Sequence, residues 1–164
     1  EVFENTSSTT DGDGIPPHAI RAVIWDGSTP AADDDEIAQV LWDRKAEGIL
    51  SDGGESGTAQ DEVLGPVTVN FERATEDTIA VAVNIESADG VSIDDVKAAI
   101  LNAMPNRVGA EVTFNKLAGS VFNVPGVDDW VTFTIDGGTA DKAADITTIY
   151  TLDESDITVT GDVS

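Results

Sequence analysis

Apolar residues along this chain recur in two rhythms, and the rhythm changes every ten to twenty residues. At 19 to 25, "AIRAVIW", Ile20, Ala22 and Ile24 alternate with Arg21, Val23 and Trp25, the pattern of a strand with one face well buried. The preceding "EVFENTS" at 1 to 7 is short and β-prone, and is placed to pair with it. The clearest alternation is "TIAVAVNIE" at 78 to 86, with Ile79, Val81, Val83 and Ile85 on one face. Helical spacing appears twice. Ile37, Val40 and Leu41 form a stripe in a helix opened by acids at 33 to 36, with Arg44 and Lys45 near its negative end and Gly48 as a natural stop. Ser92 and Asp95 make a short capping box before Ile93, Val96, Ile100 and Met104, and Pro105 and Asn106 end that helix.

Between these elements lie a polar, glycine-rich hairpin region at 51 to 66 and a strand at 67 to 72. A strand at 110 to 114, a helical turn at 115 to 122, a strand at 127 to 135 and two β-like runs, "DITTIYT" and "SDITVTG", complete the chain. "RATED" at 73 to 77 has no apolar anchor and reads as a link. The expected fold is therefore α+β, with two small subdomains at 1–73 and 74–164. Each should be a short mixed or antiparallel sheet packed with one or two helices. No internal repeat is visible.

Composition narrows the function. Against 32 Asp and Glu stand four Lys and four Arg, a net charge of −24 over 164 residues. Such a surface repels nucleic acid and anionic membranes, so neither is an expected partner. The acids are dispersed through the elements, and with scarce lysine they give the composition of proteins from salt-loving organisms. The 40% hydrophobic content is that of a folding chain. No run approaches the roughly 20 apolar residues of a membrane helix, and no basic patch with an apolar stretch marks a signal peptide. Starting at Glu1, the chain reads as a segment of a longer one or as trimmed at its start. Cysteine is absent, which excludes disulfides and thiolate chemistry.

Candidate chemistry is thin. "DGDG" at 11 to 14 suggests calcium, but Ile15, Pro16 and Pro17 follow where a calcium loop needs further ligands, so a tight turn is the better reading. His18, the single histidine, could serve as a base, yet no nucleophile stands in a recognisable elbow. "GESGT" at 54 to 58 lacks the pattern and the strand–helix flanks around Ser56. The Gly pairs at 53–54 and 137–138 lack the Lys-Ser/Thr of a phosphate loop. Chance carboxylate pairs are guaranteed among 32 acids and carry no information. Asn5-Thr6-Ser7 is a glycosylation sequon, relevant only on a glycosylating secretory route. Trp25, Trp42 and Trp130 are the largest anchors; Trp42, beside the first helix's stripe, faces either the core or a partner, and burial is the commoner fate. No catalytic, cofactor-binding or metal-binding residue is assigned, and an enzyme is not expected.

Taken in order, the pieces resemble the baseplate J-like family, wedge proteins of contractile phage tails and related injection machines. "ENTSSTTDGDGIPPHAIRAVIWDG" at 4 to 27 and "DDEIAQVLWDRKAEGI" at 34 to 49 carry the resemblance. The family pattern has an Asn-rich strand end, an Asp-Gly-x-Pro-Pro-His loop, a strand ending in Gly-Gly and an Ile-Ala-rich helix; Asp26-Gly27 stands here for the Gly-Gly. "VTVNFERATEDTIAVAVNI" at 67 to 85 and "VGAEVTFNKLAGSVFNVPGVDDWVTFTI" at 108 to 135 resemble the later segments more weakly. The resemblance spans nearly the whole chain and corresponds to the family's central and C-terminal portion. It implies a structural, non-catalytic role without cofactors, in a virion or injection-particle baseplate assembled in the host cytoplasm. The implied partners are wedge, hub or tube neighbours, with weak or no self-association. An extracellular or tail-tip module that binds carbohydrate is the alternative, against which the low aromatic content argues.

Overall fold

The computed structural model describes residues 1–27, 32–46, 48–87 and 90–163. The fold is α+β, and backbone proximity divides it into two units, Glu1–Thr75 and Glu76–Ser164.

The first unit contains β1 (Val2–Asn5), β2 (Ala19–Ile24), α1 (Asp34–Arg44), β3 (Leu50–Asp52), β4 (Glu55–Asp61) and β5 (Gly65–Arg73). Its sheet runs β1-β2-β5-β4, and β3 also pairs with β2. Strand β2 is the hub, antiparallel to β1 and parallel to both β3 and β5. Burial on β2 exceeds the one-faced expectation. Ala22 packs with Ile37 and Phe71 beneath α1, and Val23, its neighbour on the opposite face, is also buried.

Helix α1 lies on the β4–β5 hairpin, with Ala38 against Ala59 and Val69. The approach is close. A Cβ on Gly57 would stand 2.0 Å from the Asp34 carbonyl oxygen, so only glycine fits at that point of β4. The helix also closes the edge of the sheet. Thr58 N–H donates to Asp35 Oδ1 at 2.7 Å and Gln60 N–H donates to Gln39 Oε1 at 2.7 Å. Residues four apart on the helix thus meet residues two apart on the strand, which satisfies outward N–H groups that an edge strand otherwise presents. Asp33 caps the helix by accepting from Asp35 N–H. The helix stops at Arg44, short of the expected Gly48, because Lys45 is already extended and its ammonium turns back onto the Ile49 carbonyl.

The second unit contains all but the first residue of β6 (Thr75–Thr78), then β7 (Val81–Glu86), α2 (Ile93–Ala103), α3 (Phe114–Val121), β8 (Asp129–Ile135), β9 (Thr148–Thr151) and β10 (Ile157–Gly161). Central β7 is antiparallel to β8 and parallel to β10, while β6 and β9 form a separate ribbon. The alternating face read from the sequence is the core: Ile79, Val81, Val83 and Ile85 pack with Val96 and Ile100 of α2, Leu117 and Val121 of α3, and Phe133. Ser92 caps α2, accepting from Asp95 N–H.

Two expectations are corrected here. The strand expected over 78 to 86 is broken at Ile79–Ala80, where the chain changes partners. Ile79 N–H donates to Thr151 of the ribbon, whereas both polar groups of the Ala80 backbone bond Asp136 after β8. The strand expected at 110 to 114 is reduced to one bridge between Val112 and Lys142. Thr113 already serves as the N-cap of α3, and Asp141 Oδ1 accepts from Phe114 N–H at 2.6 Å.

Candidate functional site

The segment richest in restricted residues, 5 to 18, is built from the inside outward. Asn5, at the end of β1, is buried, and its Nδ2 donates to the carbonyls of Thr9 (2.8 Å), Ile15 (2.7 Å) and Pro16 (3.2 Å). Its Oδ1 accepts from the N–H and hydroxyl of Ser7. The amide of the sequon is therefore fully engaged in the folded chain. Asp11 Oδ1 accepts from Asp13 N–H (3.0 Å) and Ile15 N–H (2.9 Å), a turn in which a side chain replaces a backbone carbonyl. From β2, Arg21 donates to the carbonyls of Asp13 and Gly14 and to Asp52 at the end of β3. Ile15, 1% exposed, anchors the loop beneath.

Only one of the two glycines needs its freedom. Gly14 has φ +78°, whereas Gly12 lies outside the left-handed region. The second left-handed residue is His18, at φ +53°. It occupies the third position of a turn closed by Ala19 N–H on the Pro16 carbonyl, with Pro17 second. Proline at the second position and a positive φ at the third is the type II arrangement, which usually takes Gly or Asn. His18 is exposed. The Pro-Pro-His string is thus a backbone device that delivers the chain into β2.

The remaining candidates do not converge. Ser56 sits within β4 opposite Asn70, with no strand-to-helix elbow. Gly54 N–H donates to Glu72, and Gly138 closes a turn on Ile135. Among the described residues no group of three or more His, Asp or Glu is arranged to hold a metal, and no helix is long and apolar enough to cross a membrane. Trp25 is 38% exposed. The Trp130 ring lies near Phe122 and Phe133, its indole N–H buried without an acceptor among the described residues. Trp42 is half-buried and donates to Asp61 Oδ2 at 3.0 Å.

Asp61, which no pattern in the sequence singles out, is the most heavily used carboxylate of the hairpin. Its Oδ1 also accepts from Leu64 N–H (2.7 Å) and Val63 N–H (2.8 Å), and with the Trp42 bond these hold its carboxyl below the usual aspartate range. Asp136 is lowered by the Ala80 N–H and by Lys142, and Asp145 by the backbone and hydroxyl of Thr147. An aspartate opening a turn was the available signal, but many aspartates precede turns in this sequence.

No family model matches the chain. No curated protein matches it.

Proposed function

We propose that this chain is a structural subunit of a contractile-tail baseplate, of the baseplate J-like kind, which holds a fixed geometry between neighbouring wedge, hub or tube proteins. The joint at residues 5 to 18 carries the reading. It coincides with the most specific part of the resemblance, and its polar side chains act on backbone: Asn5 and Asp11 tie the loop to itself, and Arg21 ties it to β2 and β3. A loop so pinned transmits orientation from one strand to the next. On this reading the partners are proteins of the same tail, the location is a virion or injection-particle baseplate, and no reaction is catalysed.

Co-expression with tube, hub and wedge proteins of a contractile tail from the same source tests the reading. A complex of fixed stoichiometry that survives gel filtration in molar salt is expected. Elution of the chain alone in every pairing would overturn the proposal, and selective binding on a glycan array would favour the carbohydrate-binding alternative.

A further inference from the structure

The tip of the β4–β5 hairpin breaks the rule that tight turns are polar. Val63 is 90% exposed and Leu64 is 69% exposed, side by side at the turn. They are not loosely held, because both of their N–H groups are fixed by Asp61, which in turn holds the indole of Trp42. Beside them lies a groove of about 590 Å³ lined by Trp42, Asp43, Lys45, Gly48, Asp61 and the two tip residues. Its floor is closely packed, since α1 and the hairpin meet through Ala38, Ala59 and Val69 with Trp42 against them. Presenting apolar side chains in a pre-organised frame lowers the ordering cost of binding.

The charge of the groove selects its occupant. Asp43 and Asp61 line it, and Glu62 stands exposed at the tip. The one lysine in the lining, Lys45, is committed, with its Nζ on the Ile49 carbonyl and 4.4 Å from the centre of the Trp42 ring. Arg44, next to it in sequence, is exposed and does not line the groove. A second copy would bring another −24 charge to this acidic rim.

We infer that the groove between Trp42 and the Val63–Leu64 tip is a docking site for a segment of another protein that presents an apolar side chain flanked by Lys or Arg. The apolar residue sits against Val63, Leu64 and the Trp42 ring, and the flanking cations meet Asp43 and Glu62. The inference rests on the assembly reading for the kind of occupant, a different protein chain, and adds where and by what chemistry one neighbour is held.

The test uses the whole chain and short synthetic peptides with a central Leu or Phe flanked by Lys, with matched peptides carrying Glu instead. Lys-flanked peptides should move the Trp42 indole N–H signal in NMR titration and leave those of Trp25 and Trp130 in place. Val63→Ser/Leu64→Ser, at exposed positions, should keep the fold and weaken binding by about tenfold or more, a change of about 1.4 kcal/mol. Asp61→Ala, which frees the tip while leaving its side chains intact, should weaken it too. Molar salt should reduce the affinity of the Lys-flanked peptides. Equal binding of both peptide sets, no shift at Trp42, or full affinity in the double variant would overturn the inference. So would self-association of the chain that the double variant abolishes, because the occupant would then be a second copy. A double variant that still assembles with its tail proteins removes the groove and keeps the assembly reading. Peptide binding without any tail-protein complex does the reverse.

Discussion

His18 shows how a residue that invites a chemical reading can serve the backbone. Its φ of +53° is a conformation that β-branched side chains strongly resist and that histidine tolerates better than most. His18→Gly should therefore leave the urea midpoint unchanged or raise it slightly, whereas His18→Val should lower stability by about 1–2 kcal/mol. If Gly and Val behave alike, the turn is not what fixes this position. Gly14 separates strain from crowding at the same joint. A Cβ there meets nothing within 4 Å, so Gly14→Ala should register only the cost of φ +78°, about 1 kcal/mol. The local chemistry of this loop was legible in the sequence, because Asp, Gly and Pro act through their nearest neighbours. Asn5 was not, since its three carbonyl partners lie four to eleven residues away and are brought in only by the closed loop.

The same division holds for whole elements. Helix α2 and strand β7 were readable because a cap and an alternating face are local properties. The parallel pairing of β3 with β2 joins residues about thirty positions apart, and no periodicity announces it. The acids that open helix α1 suit its dipole, yet Asp35 also accepts from the edge of β4, a role visible only once the strand lies beside it. Gly57 marks the place where the two elements touch. Gly57→Ala should separate α1 from β4 or strain both, with a loss of about 1–3 kcal/mol or more, as for overpacking in a tight core. Gly119, where an added Cβ meets nothing, is the matched control in α3: Gly119→Ala should stabilise by about 0.5–1 kcal/mol through helix propensity. Equal melting temperatures for the two variants would refute the close approach.

At the scale of the molecule, negative charge plays two opposed parts. Many carboxylates repel one another, and dilute buffer leaves that repulsion long-ranged, with a Debye length of roughly 30 Å at 0.01 M against about 3 Å at 1 M. The melting temperature should therefore rise from dilute buffer to molar KCl, and a flat or falling curve would show that the acids are placed where they do not repel. Other carboxylates hold turns. Asp61, Asp136 and Asp145 have folded values below the ordinary 3.8, so the stability they contribute is fully present above 3.8 and is lost as pH falls through their lower folded values. Lys142 behaves oppositely. Its folded value is raised above 10.5, first by its hydrogen bond to Asp136, so its contribution is present below 10.5 and lost as pH rises through the folded value. As pH falls below 3.8, relief of repulsion is common to parent and variant, so the urea midpoint of Asp61→Asn should lose less, relative to its own value at neutral pH, than that of the parent chain.

The buried amide of Asn5 has a consequence for where such a chain can be made. Sugar transfer onto a sequon takes place on a nascent polypeptide, before β1 and the loop have closed. A glycan placed there would occupy the nitrogen that later donates to Thr9, Ile15 and Pro16, and its bulk could not enter a site that is 4% exposed. Repairing the sequon is no simple remedy, because the hydroxyl of Ser7 lies within hydrogen-bond distance of both Asn5 Oδ1 and the Thr9 carbonyl, one of which takes its single proton. Expression through a eukaryotic secretory pathway should therefore yield a glycosylated, misfolded fraction, while enzymatic glycosylation of the folded protein should fail. Mass spectrometry of the soluble and aggregated fractions would separate the two, and a soluble, folded product carrying sugar on Asn5 would contradict the closed joint.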